Sequence, residues 1–171
     1  MAGEIISPPP PWLPSLIALG DDSLENEQRL LAKFDKDFVQ TKLMMDGFDV
    51  LLSLEPKRGD NVPATYRHLT TRGEGTRVFD PRRAERLSWV PAIIRNCMDP
   101  GVKRWNYLEG DGGINTYLWL VAHDFIVITR PKTNSRGIFM YVLVTAYCLD
   151  HEGSRRTYAL KYERREGRQG T

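Results

Sequence analysis

The sequence predicts an α+β fold: N-terminal helices packed on a mainly antiparallel sheet of four to five strands, with a short basic helix at the C-terminal end. Three observations predict it. Apolar residues recur at helical spacing from Leu30 to Phe38 and a proline-initiated helix is signalled at Pro81; apolar runs broken by short turns dominate from Lys103 to Leu149; a polar, basic stretch closes the chain. Helical patterns followed by a meander belong to the α+β class rather than to alternating parallel units.

With 171 residues, 41% hydrophobic and 27% charged, the chain has the length and ordinary composition of one folded domain. Residues 1–20 read as an extended Pro-rich arm and 21–171 as a single α+β domain. Pro8 to Pro11 exclude helix and favour polyproline II, with Trp12 and Leu13 pinning the arm to the body. Asp22 with Glu25 is a capping-box pattern, and Leu30, Leu31, Phe34 and Phe38 give the first helix an apolar face. Asp46-Gly47 stops this run, and Phe48, Val50, Leu52 and Leu54 alternate as in a strand. Thr65 to Thr70 is β-prone. A second helix begins at Pro81 with Asp80 as N-cap, kinks or breaks at Pro91, and stops at Asp99-Pro100-Gly101. Strands follow at 103–108, 114–121, 125–129 and 138–149, with turns at Gly110–Gly113 and His123-Asp124 and a loop at 131–137. The last helix spans 154–166.

No apolar run approaches the roughly 20 residues of a membrane span, and Met1 to Ile6 lacks the pattern of a secretory signal. The expectation is a cytoplasmic protein without a membrane partner, with Cys97 and Cys148 as free thiols. No metal-ligand spacing, phosphate loop, dinucleotide fingerprint or nucleophile elbow is present, so no cofactor is expected. Net charge is only +2, but residues 151–171 carry a surplus of three positive charges through Arg155, Arg156, Lys161, Arg164, Arg165 and Arg168. Arg77, Arg82, Arg83 and Arg86 form a second basic cluster. Each stands either as a solvated face or as a contact for a polyanion.

His68 can exchange a proton near neutral pH, or it can be a structural imidazole at a strand edge. Arg82 and Arg86, four apart on a helix, share a face, with Arg83 beside them and Glu85 placed to orient Arg82. Such guanidiniums clamp a phosphate, or they form ordinary ion pairs. Thr145 and Tyr147 put two hydroxyls on one face of the last strand. Trp105 with Tyr107, and Tyr117 with Trp119, line strand faces as core or, if exposed, as a platform for bases.

The succession of His68, Arg-Arg-Ala-Glu-Arg-Leu-Ser-Trp at 82–89, the apolar run at 117–128, Leu-Val-Thr-Ala-Tyr at 143–147 and Leu-Lys-Tyr-Glu at 160–163 resembles a group of bacterial and prophage proteins similar to the barnase/EndoU/colicin/RelE-like (BECR-type) nuclease superfamily. The resemblance covers about residues 62–165. It implies metal-independent endoribonuclease activity by 2′-hydroxyl transesterification, in a toxin or defence protein, with RNA as substrate and a protein antitoxin or an inhibited host protein as partner. It implies His68 as general acid/base with Glu85 as second acid/base, and Arg83 and Arg86 as stabilisers of the phosphorane-like transition state. Thr145 and Tyr147 would position phosphate or base, and Lys161 would contact the RNA backbone; Arg82, Arg155 and Arg156, from the two basic clusters, are the further candidate RNA contacts. The alternative is a phage-encoded inhibitor or nucleic-acid-binding protein that keeps the fold without catalysis.

Overall fold

The computed structural model describes residues 8–165. The first residues of the Pro-rich arm, and the tail with Arg168, lie outside the described residues. The arm is pinned through Trp12, whose Nε1–H donates to the Asp99 carboxylate at 2.8 Å. A turn closed by Leu13 N–H on the Pro10 carbonyl bends it. Further on, Trp89 Nε1–H donates to the Pro14 carbonyl at 2.8 Å.

Helix α1 (Ser23–Phe34) starts at Asp22, whose carboxylate accepts from the backbone N–H of Leu24 and Glu25 at 2.8 and 2.9 Å. Two of the donors that a helix start leaves open are thereby satisfied. A π-helical turn, Asp35–Gln40, continues α1 and keeps Phe38 stacked on Phe34 at 4.8 Å. Asp46 and Gly47 both have positive φ (55° and 80°), the geometry of a two-residue hairpin turn, and join β1 (Met44–Met45) to β2 (Phe48–Leu51).

Residues 65–70, expected as β, form helix α2 (Ala64–Thr70). Its threonines serve the helix: the Thr70 hydroxyl donates to the Tyr66 carbonyl at 3.0 Å and the Thr71 hydroxyl to that of Arg67. Burial of Tyr66 and Leu69, three apart, sets the helical face and overrides the β propensity. A two-residue ladder of β3 (Thr71–Arg72) and β4 (Val78–Phe79) leads to α3 (Pro81–Glu85). There the Asp80 carboxylate caps the N–H groups of Arg82 and Arg83 at 3.1 and 3.3 Å, as its place before proline predicts. The break falls at 86–88 rather than at Pro91. Pro91 is the third residue of α4 (Trp89–Arg95), inside the first turn, where an N–H has no helical acceptor in any case.

The remaining elements are β5 (Val102–Leu108), β6 (Ile114–Leu120), β7 (Phe125–Thr133), β8 (Phe139–Cys148) and α5 (Glu152–Glu163). The sheet has six strands rather than four to five, in the order β1-β2-β8-β7-β6-β5. All pairs are antiparallel except β2 with β8, joined in parallel through Val50–Tyr141 and Leu51–Val142. β7 runs to Thr133, so the expected loop at 131–137 shrinks to a turn. Past Thr129 only β8 flanks β7, and Pro131 is tolerated on the free edge. The sheet curls: Asp46, at one end of the strand order, forms a two-pronged ion pair with Arg104 on β5 at the other.

Alternate residues feed two cores. Leu118, Leu120, Phe125, Val127, Ala146 and Cys148 face the helices α1 to α4. Trp105, Tyr117, Trp119, Ile126 and Ile128 face α5 through Tyr158. Among the described residues no helix is long and apolar enough to cross a membrane.

Candidate active site

Two irregularities of β8 create the site. β2 pairs only as far as Val142, so beyond it β8 is flanked on that edge by α2 and α3 instead of a strand. Ile128 pairs with Thr145 and Thr129 with Leu143, leaving Val144 as a β-bulge. The bulge changes the phase of the strand: Leu143 faces the main core, whereas Tyr147 turns toward α5, with Thr145 on its side.

His68 sits in the last turn of α2. Its neighbour Arg67 grips Asp60 through Nε to Oδ2 at 2.8 Å and Nη2 to Oδ1 at 2.6 Å, which holds the 57–61 loop on the helix. The same fork holds the Asp60 carboxyl down at about 2. From this loop Lys57 Nζ comes within 3.2 Å of His68 Nε2. An ammonium only donates, so Nε2 accepts, and the imidazole is neutral with its proton on Nδ1. Burial, then the charges of Arg77, Lys57 and Arg83, push the imidazole below its ordinary value of 6.5.

Arg83 Nη1 donates to the carbonyls of His68 at 3.2 Å and Thr71 at 2.9 Å, and its guanidinium lies 5.1 Å from the centre of the Tyr147 ring. Arg77 bonds the Thr71 hydroxyl (2.7 Å), the Thr71 carbonyl (2.8 Å) and the Gly73 carbonyl (3.0 Å). Both arginines therefore fasten the chain where it leaves α2, and both bring positive charge to His68. His68, Arg77, Arg83, Thr145 and Tyr147 line one open cleft of about 390 Å³, in which Glu74 is the one carboxylate. The Thr145 hydroxyl has no protein partner among the described residues. The Tyr147 hydroxyl is bonded to that of Tyr158, so Tyr147 supports Arg83 with its ring rather than offering a free phenol.

Of the residues singled out in the sequence, His68, Arg83, Thr145 and Tyr147 come together. Arg86 and Glu85 do not. Helix α3 ends at Glu85 and Arg86 leaves helical angles, so no Arg82–Arg86 stripe forms. The Arg86 guanidinium lies over the Trp89 ring at 5.0 Å and bonds the Arg82 carbonyl, with Glu85 its neighbour at 3.6 Å. Arg82 pairs with Asp150, and Arg155 with Asp124 at 2.6 Å. Arg156 is exposed on α5. Lys161 is held under α5 by Glu109 at 2.8 Å and the Tyr117 hydroxyl at 3.0 Å, away from the cleft. Trp105, Tyr117 and Trp119 are buried against α5, with Tyr107 partly buried beside them, and form core rather than a platform for bases.

Lys57 was not singled out in the sequence, and Arg77 only as part of a basic cluster. Both reach His68 through loop geometry that no residue spacing announces. Chemically, the cleft offers an imidazole, two guanidiniums, one carboxylate and a hydroxyl donor, with the Lys57 ammonium 3.2 Å from the imidazole. No group of three or more His, Cys, Asp or Glu side chains suited to a metal gathers among the described residues. Compared with known proteins, the chain matches no family model, no curated protein and no solved structure.

Proposed function

We propose that the protein is a metal-independent endoribonuclease that cleaves RNA by attack of a 2′-hydroxyl on the adjacent phosphate. The observation that carries this is a single one: an imidazole held neutral opens onto the same cleft as two guanidiniums, an unpartnered threonine hydroxyl and, at 3.2 Å, an ammonium. A phosphate entering the cleft is a stronger acceptor for Lys57 than the imidazole. Its arrival frees Nε2 to take the 2′-hydroxyl proton. Arg77, Arg83 and Lys57 then offset the charge that builds on the phosphoryl oxygens, an effect worth about 2.7–4 kcal/mol for a single well-placed donor in other enzymes; the departing 5′-oxygen takes a proton from water to become the 5′-hydroxyl, and His68 returns its proton to solvent. Thr145 donates to a non-bridging oxygen. Glu85 has no part, because it lies outside the cleft. The resemblance to the BECR-type superfamily points the same way, toward a cytoplasmic toxin or defence protein that an antitoxin restrains.

One observation favours a second reading. All three nitrogens of the Arg77 guanidinium are engaged by residues 71–73, Nε by the Thr71 hydroxyl and the other two by the Thr71 and Gly73 carbonyls, as in a purely structural arginine. A nucleic-acid-binding protein or phage-encoded inhibitor that keeps the fold without turnover fits that feature. Incubation of the purified protein with total RNA in EDTA, beside His68→Ala, separates the two. Cleavage by the first protein and not the second is expected; intact RNA throughout, with salt-dependent binding, selects the non-catalytic reading.

A further inference from the structure

Arg83 and Tyr147 line a second cavity as well as the His68 cleft. It holds about 240 Å³ and is also lined by Arg72, Arg82, His151 and Ser154. Two carboxylates border it, and each has a partner. Asp80 caps the first turn of α3 and lies 3.6 Å from Arg83 Nε; Asp150 pairs with Arg82. Arg72 is different. It extends from the two-residue strand β3, is exposed, and makes no ion pair or hydrogen bond through its side chain among the described residues. No described residue uses its charge.

We infer that this second cavity is a phosphate subsite for the nucleotide next to the cleavage point, with Arg72 as its principal ligand and Arg83 as the wall shared by two successive phosphates. The inference rests on the ribonuclease reading of the His68 cleft and adds the class of substrate: a continuous single strand, rather than a mononucleotide or a dinucleotide. A phosphodiester suits the cavity better than a base does. Three guanidiniums, an imidazole and a hydroxyl line it beside the Cys148 thiol and two carboxylates already paired with Arg82 and Arg83, and its phenol ring, Tyr147, is covered by Arg83. Guanidiniums match phosphate oxygens with paired N–H donors. An RNA chain that fills both spaces gains a second charged contact, which a substrate with one phosphate lacks.

The test uses fluorescently labelled 2′-O-methyl oligonucleotides, which bind but cannot be cleaved through the 2′-hydroxyl. Dinucleotide and hexanucleotide affinities are measured by anisotropy over a range of salt for the unaltered protein, Arg72→Gln and Arg136→Gln. Arg136 lies in the β7–β8 turn, at the opposite end of β8, and controls for loss of any one positive charge. Circular dichroism checks that each variant is folded. Arg72→Gln is expected to weaken hexanucleotide binding about tenfold, the loss of one charged hydrogen-bonding contact. The slope of log affinity against log salt should fall by about 0.7, the value for one phosphate of a single strand. Arg136→Gln should change neither. Equal behaviour of the two variants overturns the subsite, and so does the absence of measurable hexanucleotide binding. The two levels separate cleanly. Binding that depends on Arg72, without any RNA cleavage in EDTA, keeps the subsite and removes the nuclease; cleavage with an unchanged salt slope does the reverse.

Discussion

Lys57 Nζ stands 3.2 Å from His68 Nε2, a cation donating to the ring nitrogen that must accept a proton if the cleft is catalytic. The contact joins a loop to the end of a helix and makes Nε2 the acceptor, and the ammonium adds to a lowering of the imidazole pKa that burial dominates. Burial, Arg77, Lys57 and Arg83 all favour the neutral ring. A base with a lowered pKa stays active as the pH falls below its ordinary value. The acid limb of kcat/KM is therefore expected below pH 6.5. Lys57→Met removes one of the charges and should move that limb upward, toward 6.5. A pH–rate profile, with an NMR titration of the His68 ring, checks it; a limb at or above 6.5 in the unaltered protein contradicts the depressed imidazole.

Arg83→Lys keeps the charge but loses the fork that reaches two carbonyls and the Tyr147 ring. It should destabilise the fold by about 1–3 kcal/mol, since the carbonyls of His68 and Thr71 each lose a charged donor. The rate should fall about 100-fold or more if the guanidinium also meets the phosphoryl oxygens. Urea denaturation and single-turnover kinetics read the two effects separately. An unchanged kcat in a folded variant limits Arg83 to a structural role.

Tyr147 supports Arg83 with its ring, while its hydroxyl is committed to Tyr158. Tyr147→Phe should cost about 1 kcal/mol of stability and leave kcat nearly unchanged. Tyr147→Ala removes the ring beneath Arg83 and should cost about 2–3 kcal/mol, below the range for a fully buried aromatic, with a clear loss of rate. If the phenylalanine variant is as inactive as the alanine one, the hydroxyl itself meets the substrate.

Glu85→Gln should leave cleavage within about twofold of the unaltered rate, as for a surface change away from the chemistry. A large loss would return Glu85 to the role of second acid/base that the resemblance implies, and would require the α3 turn to move when RNA binds. Steady-state rates on one oligonucleotide suffice.

What the sequence reveals about this fold follows the range of the forces involved. Asp22, Asp46-Gly47 and Asp80-Pro81 act on backbone within three residues of themselves, so their turns and helix starts were readable. The hairpins between β5 and β8 were readable from apolar runs set between glycine and aspartate turns. Residues 64–70 were not, because their helix depends on Tyr66 and Leu69 finding a core formed by distant elements. The parallel β2–β8 pair and the curl closed by Asp46 and Arg104 are long-range as well, while the sixth strand is the two-residue β1, too short to show an alternating pattern. The site divides in the same way. Thr145 and Tyr147 share a strand face by simple alternation, and His68 and Arg83 stood out by residue type. Arg86 was misplaced because nothing local shows that α3 stops after Glu85, one residue before the stripe would form. Lys57 reaches His68 only because the Arg67–Asp60 fork folds its loop back onto α2.

The central claim is that the His68 imidazole takes the 2′-hydroxyl proton without a metal. The most direct measurement is the chemistry of the cut ends after a defined RNA oligonucleotide is incubated in EDTA and the products are weighed by mass spectrometry. The account predicts 2′,3′-cyclic phosphate and 5′-hydroxyl ends from the unaltered protein and intact RNA from His68→Ala. Ends bearing 5′-phosphate, or cyclic ends produced equally well by His68→Ala, would contradict it.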